Sequence, residues 1–474
     1  MKKSILTLVA AMLVSSMSFA QFRDGGKKGI NVFDSPKVET QFDGVKTTIG
    51  GGFTQSGQKL VHENEIAPAD VSAANTLTEL SPGFNLAQAN LSLNSQLADG
   101  VALQMELYLS ARHHNETWVK GGFLQFDKLP FLPALDNIMK YTTIKVGQYD
   151  VNYGDAHFRR TDGANAIWNP FMDNYIMDEF ATELGVEAAV NYNGIVGVLA
   201  LTDGLLKGSV ADEKEQSGFA DNDAINEVIA SDGNRYPSIV AKLGYDKQLT
   251  EDFRLRITGS YYGNKGAISN TLLGGDRTGS NYFGVMYNAG VGTGTAFNGR
   301  YNPGFSDKIT ALCGNLFLKY KGFESFTTIE QASGRKKDEF NGDRTANQFA
   351  TDLVIRFGKN DQFFIGCRYN TLTADVNSVA AVAAKSAKSG KPVDALDLTK
   401  GWLTLGTAAT AAVPAVPAHS ISILRIAASA GWFITDNVLT KVEYVKQTFD
   451  GYEDADIFHG AKFQGIVVQA VIGF

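Results

Sequence analysis

Charged side chains lie two or four positions apart in several stretches whose other residues are largely apolar. Glu183 and Glu187 lie in ATELGVEAAVNY, and Arg254 and Arg256 lie in FRLRITGSYY. Charges in such places can orient an ionic solute or take part in catalysis, depending on the residues beside them. The first question is therefore whether the sequence supplies partners for catalysis or for a metal ion.

Histidine and cysteine are too sparse for the usual catalytic or metal sites. The sequence contains six histidines and two cysteines, no GxSxG stretch and no CxxC pair. His113 and His114 are adjacent, so on a strand they would point to opposite faces and make a poor metal pair. We predict no catalytic residue, no metal site and no cofactor, and we discount an enzyme. Cys313 and Cys367 are expected to be isolated wall or core residues, with one disulfide as the alternative.

The elements that position the charges read as β-strands of alternating character. In VALQMELYLSAR, the apolar residues from Val101 to Leu109 share one face, and the polar residues from Gln104 to Arg112 share the other. The same period of two recurs along the chain, whereas a helix would scatter these residues around its circumference. The strands therefore have one apolar face and one ionic face.

A soluble sandwich and a membrane barrel both produce this alternation, but their loops differ. Short connectors such as ADG, YNG, YKG and TDN alternate with long polar ones, about 56–83, 154–179, 204–236, 265–307, 373–418 and 450–460. Long structureless loops are unusual in a compact soluble domain, while outer-membrane barrels have short turns at one end and long loops at the other. The pattern favours an all-β fold, a transmembrane antiparallel β-barrel.

The even parity of such barrels gives a strand count. The stretch 281–288 is assigned to a loop, because as a strand it would put the later short turns at the wrong end. This leaves about sixteen strands, with eighteen as the competing count. The predicted strands are 45–55, 84–97, 101–113, 116–127, 141–152, 180–191, 194–203, 237–248, 253–264, 308–320, 323–334, 345–357, 361–372, 419–433, 438–449 and 461–474.

Both ends of the chain fit this expectation. Residues 1–20 combine two lysines, a short apolar core and a Ser-x-Ala ending, which predicts a secretory signal peptide. Residues 21–44 would then be a periplasmic segment and 45–474 the outer-membrane barrel with long extracellular loops. The last strand should pair with the first, near 45–55. Phe474 should face lipid at the periplasmic rim, on the strand that closes the barrel. A terminal aromatic on the last strand also resembles the signal by which the outer-membrane assembly machinery recognises its clients.

Composition excludes other classes. After residue 20 no apolar run reaches the length of a membrane helix, and the mean hydropathy is −0.11. A net charge of −7 argues against a nucleic-acid partner. The Ala-rich stretch 376–417 reads as a surface loop or a short helix, and nothing in it demands a function.

The inner face would carry two groups of opposite charge. The predicted pore-lining basic residues are Lys242, Arg254, Arg256, Arg356, Arg368 and Arg425, and the predicted acidic ones are Glu106, Glu183 and Glu187. Opposed walls of this kind would set a transverse field, and the basic groups suggest a preference for anions. The plainer explanation is that any watery face fills with charges.

The long connector 154–180 is the candidate constriction of such a pore. It carries Arg159 and Arg160 together with Asp155 and Asp162. We expect it to fold inward, with an outward cap as the alternative. Only about 24 residues precede the first strand, too few for a separate plug domain. A segment such as FRDGGKKGINVF can still enter the lumen.

IKVGQYDVNYG, residues 144–154, followed by the arginine-containing loop and NAIWNPF, resembles the porins of Bacteroidota outer membranes of the phosphate-selective porin O and P type. Asn152 stands where that family has a proline. The resemblance implies a passive channel for small polar or anionic solutes in the Gram-negative outer membrane, surrounded by lipid and often a homotrimer. The alternatives are a non-conducting structural or assembly protein and a transporter with an occluded lumen.

Overall fold

A computed structural model of the protein describes residues 23, 25–34, 37, 42–72, 75–85, 87–110, 117–161, 165–204, 236–266, 270–275, 281–288, 299–336, 343–376 and 419–474. Within these ranges, one antiparallel sheet closes on itself as a barrel of sixteen strands. The strands are β1 Lys46–Glu63, β2 Gln88–Ala98, β3 Val101–Ser110, β4 Thr117–Phe126, β5 Thr142–Asp150, β6 Thr182–Tyr192, β7 Ile195–Thr202, β8 Ser238–Gln248, β9 Phe253–Asn264, β10 Lys308–Tyr320, β11 Phe323–Arg335, β12 Arg344–Phe357, β13 Phe363–Val376, β14 His419–Thr435, β15 Val438–Asp450 and β16 Lys462–Gly473.

Each strand pairs with the next along the chain, and the first strand closes the ring. β1 pairs with β2 through Lys46–Thr54 and with β16 through Gly52–Glu63. A two-residue strand, Gly83–Phe84, extends the β2 side of β1 at Gly57 and Gln58. The predicted fold class is confirmed, and 281–288 lies in a loop as expected.

The closing seam differs from the prediction in its register. The sequence suggested pairing near 45–55, whereas the last strand reaches as far as Glu63 on β1. β1 is longer than predicted and includes residues 56–63, for which the sequence pattern predicts part of a long polar loop. The reason is that alternation continues there, with Gln58 and Leu60 facing inward and Val61 outward.

Short helices occur only in connections among the described residues. No helix in these ranges is both long and apolar enough to cross a membrane. One four-residue α-helix, α1, covers Asp136–Met139, and the 3₁₀ turns are Lys27–Gly29, Pro133–Leu135, Ala156–Arg159, Asn165–Ile167 and Lys359–Asp361.

The two ends of the barrel differ. At one end, which we call the short-turn end, strands are joined by tight turns such as Asn193–Gly194 and Lys321–Gly322. Asn193 and Lys321 both have positive φ, as such turns require. At the other end, the long-loop end, connections include 151–181, 203–237 and 377–418. The Ala-rich stretch 376–417 lies outside the described residues except for Val376.

The two faces of the wall follow the alternation in sequence. On β16, Ile466, Val468 and Ile472 are exposed on the outside, while Val467 and Val471 are buried inside. Cys313 on β10 is buried and faces inward, whereas Cys367 on β13 is exposed on the outside, and both are free thiols. A disulfide between opposite faces of the wall is impossible, so the expectation of two isolated cysteines is confirmed.

The apolar core lies inside the ring and not between layers. It is built by inward-folded loop residues, such as Phe171, Met172 and Ile176, packed against wall residues including Tyr262 and Phe463. The interior is thus partly a packed core and only partly a water-filled lumen.

Candidate functional site

The loop between β5 and β6 folds into the barrel, as expected, and does not form an outward cap. Nearly all of its described residues between Asn152 and Ala181 are buried. We call residues 152–181 the inward loop. Its aromatic and aliphatic residues enter the core described above, so the loop is fixed to the wall by packing as well as by polar contacts.

Asp155 anchors the start of the inward loop. Its carboxylate lies 3.1 Å from Lys242 Nζ on β8 and accepts two hydrogen bonds, both 2.9 Å, from Arg256 on β9. Thr258 Oγ1 donates a further bond of 2.7 Å. The carboxylate is 1% exposed. This acid of the loop therefore pairs with two buried cations of the wall, and Arg256 has further acidic partners in Asp34 and Asp246.

Side chains of the wall hold the middle of the inward loop by donating hydrogen bonds to its backbone carbonyls. Lys441 Nζ donates to the carbonyls of Ala166, Asn169 and Phe171 at 2.8–3.1 Å. Arg368 Nη1 donates to the carbonyl of Asp173 at 2.6 Å. An irregular backbone cannot satisfy its own polar groups, and each buried group left unpaired costs about 1–3 kcal/mol. The polar wall supplies those partners.

The other constriction candidates also lie inside the barrel. Arg159 stacks 4.5 Å from the ring centroid of Phe326, and Arg160 lies 3.5 Å from Asp178 and 4.3 Å from the Phe180 centroid. Asp162 lies outside the described residues. Both arginines thus pack within the loop and against the wall.

The six predicted basic residues all project inward, but none lines the cavity that lies between the inward loop and strands β2–β5. Lys242 and Arg256 bind Asp155, and Arg425 lies 3.3 Å from Asp173. The remaining three pair with acids of neighbouring strands: Arg254 with Asp246, Arg356 with Glu324 and Arg368 with Asp352. This placement differs from the predicted open pore lining, because the inward loop and neighbouring carboxylates cover these cations.

The three predicted acidic residues are divided. Glu106 on β3 borders the cavity with its side chain 27% exposed. Glu183 is buried and accepts a hydrogen bond from Tyr262 Oη at 2.6 Å, and Glu187 is buried beneath Lys145 Nζ at 2.9 Å. Only Glu106 therefore lies where a solute can meet it.

A cavity of about 270 Å³ remains between the inward loop and strands β2–β5. The wall contributes Glu106, Lys120, Lys145 and Asp150 to its lining, and the inward loop contributes Asn152, His157, Phe158, Asn165 and Trp168. Arg23 and Asp34 of the N-terminal segment complete the charged lining. Lys120 lies 3.1 Å from Asp150 and 3.9 Å from Glu106. The cavity is polar, mixed in charge and lined on one side by aromatic rings.

Sequence reasoning missed Lys120, Lys145 and Asp150 as lining residues. All three lie in predicted strands, and the alternation on β4 and β5 could have placed Lys120 and Lys145 on the polar face. No local signal indicates that this sector stays open while the rest is filled.

Other loops fill the lumen beside β1 and β14–β16. Phe283 N donates to Gln58 Oε1 at 3.0 Å, and Tyr282 packs against Phe463 with its hydroxyl bonded to Glu443. Gly299 O accepts from Gln447 Nε2 at 2.9 Å. The filled part of the lumen therefore adjoins the cavity, because β1 neighbours β2 in the ring.

No family model and no curated protein matches this chain. Solved structures similar to it include an anion-selective porin from Comamonas acidovorans, at 9% identity and TM-score 0.44, covering 91% of this chain and 100% of that chain. The outer-membrane channel DcaP of Acinetobacter baumannii matches at 9% identity and TM-score 0.44, covering 92% and 99%. OprB of Pseudomonas putida matches at 8% identity and TM-score 0.46, covering 91% and 94%. Because these scores lie below 0.5, the closed antiparallel barrel is assigned from its own strand pairing.

Proposed function

We propose that this protein is a passive channel of the Gram-negative outer membrane for small polar solutes. The observation that carries the proposal is a closed antiparallel ring with an apolar outside and an ionic inside. Closure satisfies every strand edge, which is the condition for a sheet in lipid. An ionic interior with a remaining cavity is what a diffusion channel needs.

The outside of the barrel supports the membrane assignment. Leu243 is 69% exposed, Ile49 63% and Ile329 62%. Each such side chain forfeits roughly 1.5–3 kcal/mol of burial free energy in water, and a continuous band of them marks a surface that is covered. Lipid hydrocarbon all around the ring covers that band.

Aromatic residues support an orientation. Tyr192, Tyr320, Phe357 and Trp432 adjoin tight turns and are exposed on the outside at the short-turn end. Aromatic girdles occur at the membrane–water interfaces of such barrels, and their short turns face the periplasm. We therefore assign the short-turn end to the periplasm and the long-loop end to the cell exterior.

The charges around the cavity support permeation by polar solutes without a strong preference for anions. Three cationic residues, Arg23, Lys120 and Lys145, and three anionic ones, Asp34, Glu106 and Asp150, line the cavity. Five of the six basic residues that suggest anion preference are buried, and the sixth, Arg254, is paired with Asp246. We further propose kinship with the phosphate-selective porin O and P type and an origin in Bacteroidota, on the basis of residues 144–154, the arginine-containing loop and NAIWNPF. Block of the current by inorganic phosphate would support that kinship.

Planar-bilayer recording of the purified protein tests the channel. We expect discrete conductance steps, with a small reversal potential in a potassium chloride gradient because both signs of charge line the cavity. A large reversal potential of either sign would contradict balanced selectivity. Absence of conductance at any voltage would contradict the channel itself.

One observation favours a second candidate, a transporter with an occluded lumen. The inward loop and the segments around Tyr282 and Gly299 fill the lumen beside β8–β16. If the remaining cavity does not connect both ends, the protein would not conduct passively. Solute flux into proteoliposomes without steady current would favour this candidate.

Processing and partners complete the proposal. Removal of residues 1–20 during export predicts a mature protein beginning at Gln21, which intact-mass measurement would establish. Phe474 is 57% exposed beside β1, and we assign it to recognition by the outer-membrane assembly machinery. A homotrimer, as in the porins this sequence resembles, would appear as a threefold mass in native mass spectrometry.

A further inference from the structure

The N-terminal segment Gly25–Asp34 lies inside the barrel at the short-turn end. Lys27 N donates to the carbonyl of Asp436, in the turn between β14 and β15, at 2.7 Å. Gly25 packs so closely against Phe474 that a Cβ at Gly25 would overlap the Phe474 carbonyl. Trp168 Nε1 of the inward loop donates to Gly26 O at 2.8 Å. The segment therefore begins between the barrel rim and the inward loop.

Asn31 fixes the middle of the segment. Its side chain donates to Glu324 Oε1 on β11 at 2.7 Å and accepts from Arg159 Nη2 at 2.6 Å. Its carbonyl accepts from Arg254 Nη1 on β9 at 2.9 Å. The backbone has φ +60°, a conformation that asparagine tolerates better than most residues. One residue thus contacts two strands and the inward loop.

Phe33 and Asp34 fill a pocket prepared by the wall and the inward loop. Phe33 is 2% exposed, and its ring centroid lies 5.1 Å from that of Phe317, 5.9 Å from Phe158 and 6.2 Å from Phe326. Asp34 lies 2.9 Å from Arg256 Nη1. An aromatic anchor in a desolvated pocket beside a charge pair is typical of a peptide-binding hot spot.

The segment is attached by side chains and not by a strand ladder. Among the described residues, Lys27 makes its backbone–backbone hydrogen bond to the barrel, at Asp436, while the other contacts join side chains to side chains or carbonyls. Segments with few ladder bonds open at a lower free-energy cost than barrel strands do. Binding and release of this segment can therefore occur without unfolding the barrel.

We propose that strands β9–β11 and the inward loop form a peptide-binding site in the lumen, occupied by the chain's own residues 25–34 as a tethered plug. This inference rests on the proposed channel function, because its consequence is that the segment narrows the periplasmic mouth. The ligand class is a short peptide with a Gly-Ile-Asn-Val-Phe-Asp core, recognised through the asparagine side-chain amide, the phenyl ring and the aspartate side-chain carboxylate. Arg23 and Asp34 line the cavity, so release of the plug changes the solute path directly.

The test is a chain lacking residues 25–34, with a synthetic peptide, GGKKGINVFD, carrying a fluorophore on its N-terminus. We expect the deletion variant to bind the peptide by fluorescence anisotropy, and the full chain to bind it much more weakly because the site is occupied. A peptide with alanine in place of Phe33 should bind at least about ten-fold more weakly. In bilayers the deletion should raise the unit conductance, and unlabelled peptide on the periplasmic side should return it towards the full-chain value.

A point variant keeps the test decisive if the deletion fails to fold. Phe33→Ala in the full chain should raise conductance, while Phe84→Ala, which alters a phenylalanine that is 88% exposed, should not. Thiol labelling in a Cys367→Ser background reports whether the buried thiol of Cys313, next to Glu179, becomes accessible. Cys313 should remain unlabelled if only the plug leaves its site.

The outcomes separate the two proposals. The plug proposal would be overturned if the deletion variant folds but does not bind the peptide. It would also be overturned if Phe33→Ala has the same conductance as the full chain. Peptide binding without conductance in any variant would instead overturn the channel and leave the site standing.

Discussion

Asp155 of the inward loop accepts a hydrogen bond from Arg256 Nε on β9 at 2.9 Å, with both groups buried. The same carboxylate also binds Lys242 on β8. Through these contacts the start of the inward loop covers two cations of the wall on β8 and β9.

Replacement of Asp155 should loosen the inward loop. Asp155→Asn removes the carboxylate that pairs with the buried Lys242, while Arg256 keeps Asp34 and Asp246. Breaking a buried pair by removing one partner costs about 3–5 kcal/mol. We expect a lower unfolding midpoint in denaturant and a larger, noisier channel current. Asp99→Asn removes an exposed partner of Lys128 and should change either property little. Equal behaviour of the two variants would show that Asp155 does not hold the loop.

The acids on the open side should set charge selectivity. Glu106→Gln and Asp150→Asn each remove a partly exposed negative charge from the cavity. A screened charge at this distance contributes about 0.5–1 kcal/mol, so the anion-to-cation permeability ratio should rise about two- to five-fold. The reversal potential in a salt gradient measures this ratio. Glu251→Gln, in a short turn, is the matched control, and an unchanged ratio in both cavity variants would place the solute path elsewhere.

The outer face should behave as a lipid-facing surface. Leu243→Arg introduces a cation in the middle of β8, and near the centre of a bilayer it should destabilise the folded barrel by about 2–4 kcal/mol. Leu249→Arg, just beyond the short-turn end of the same strand at a position that is 44% exposed, should cost about 0–1 kcal/mol. Urea unfolding from phospholipid vesicles compares the two. If Leu243→Arg costs no more than its control, the centre of β8 does not face hydrocarbon.

The long loop between β15 and β16 should respond to pH. Burial raises the pKa of Asp456 to about 6, although the backbone N–H of Phe458 and the nearby His419 partly oppose the shift. A carboxyl whose pKa is raised in the fold binds its proton more tightly there than in the open loop, so local stability falls as pH rises from about 4 to about 6.

Hydrogen exchange checks that pH response. Protection factors of amides in 451–461 should be higher at pH 4 than at pH 7, and Asp456→Asn should abolish the difference. Asp454→Asn, whose side chain is 91% exposed, should retain it. Protection that is independent of pH in the native chain would contradict the assignment.

The sequence predicts most strands of the barrel wall and the faces of their side chains, as particular strands show. The alternation in residues 253–264 places Arg256 inside and Ile257 outside, and the structure has both in those positions. The closing strand was also predicted, but its register was not, because pairing of the ends depends on the tilt of all strands around the ring. The sequence did not predict that β1 continues to Glu63, because the polar residues there are as typical of a surface loop as of the inward face of a strand.

The roles of the inward charges were harder to predict. Arg368 and Lys145 look alike in sequence, as cations at polar positions of predicted strands. Arg368 is covered by the inward loop, while Lys145 borders the cavity. Strand alternation identifies the inner face, but it carries no information on what else occupies the interior.

The sequence by itself determined that strands alternate, which face is apolar, where the tight turns fall and that one long connector bears charge suited to the interior. These are local properties, because successive side chains of a strand point to opposite faces whatever the rest of the chain does. The tertiary structure decided which cations are neutralised, which sector stays open and that Phe33 enters a pocket between β10, β11 and the inward loop. Those outcomes depend on contacts between residues more than a hundred positions apart, such as Asp155 with Arg256, and only closure of the ring brings such groups together.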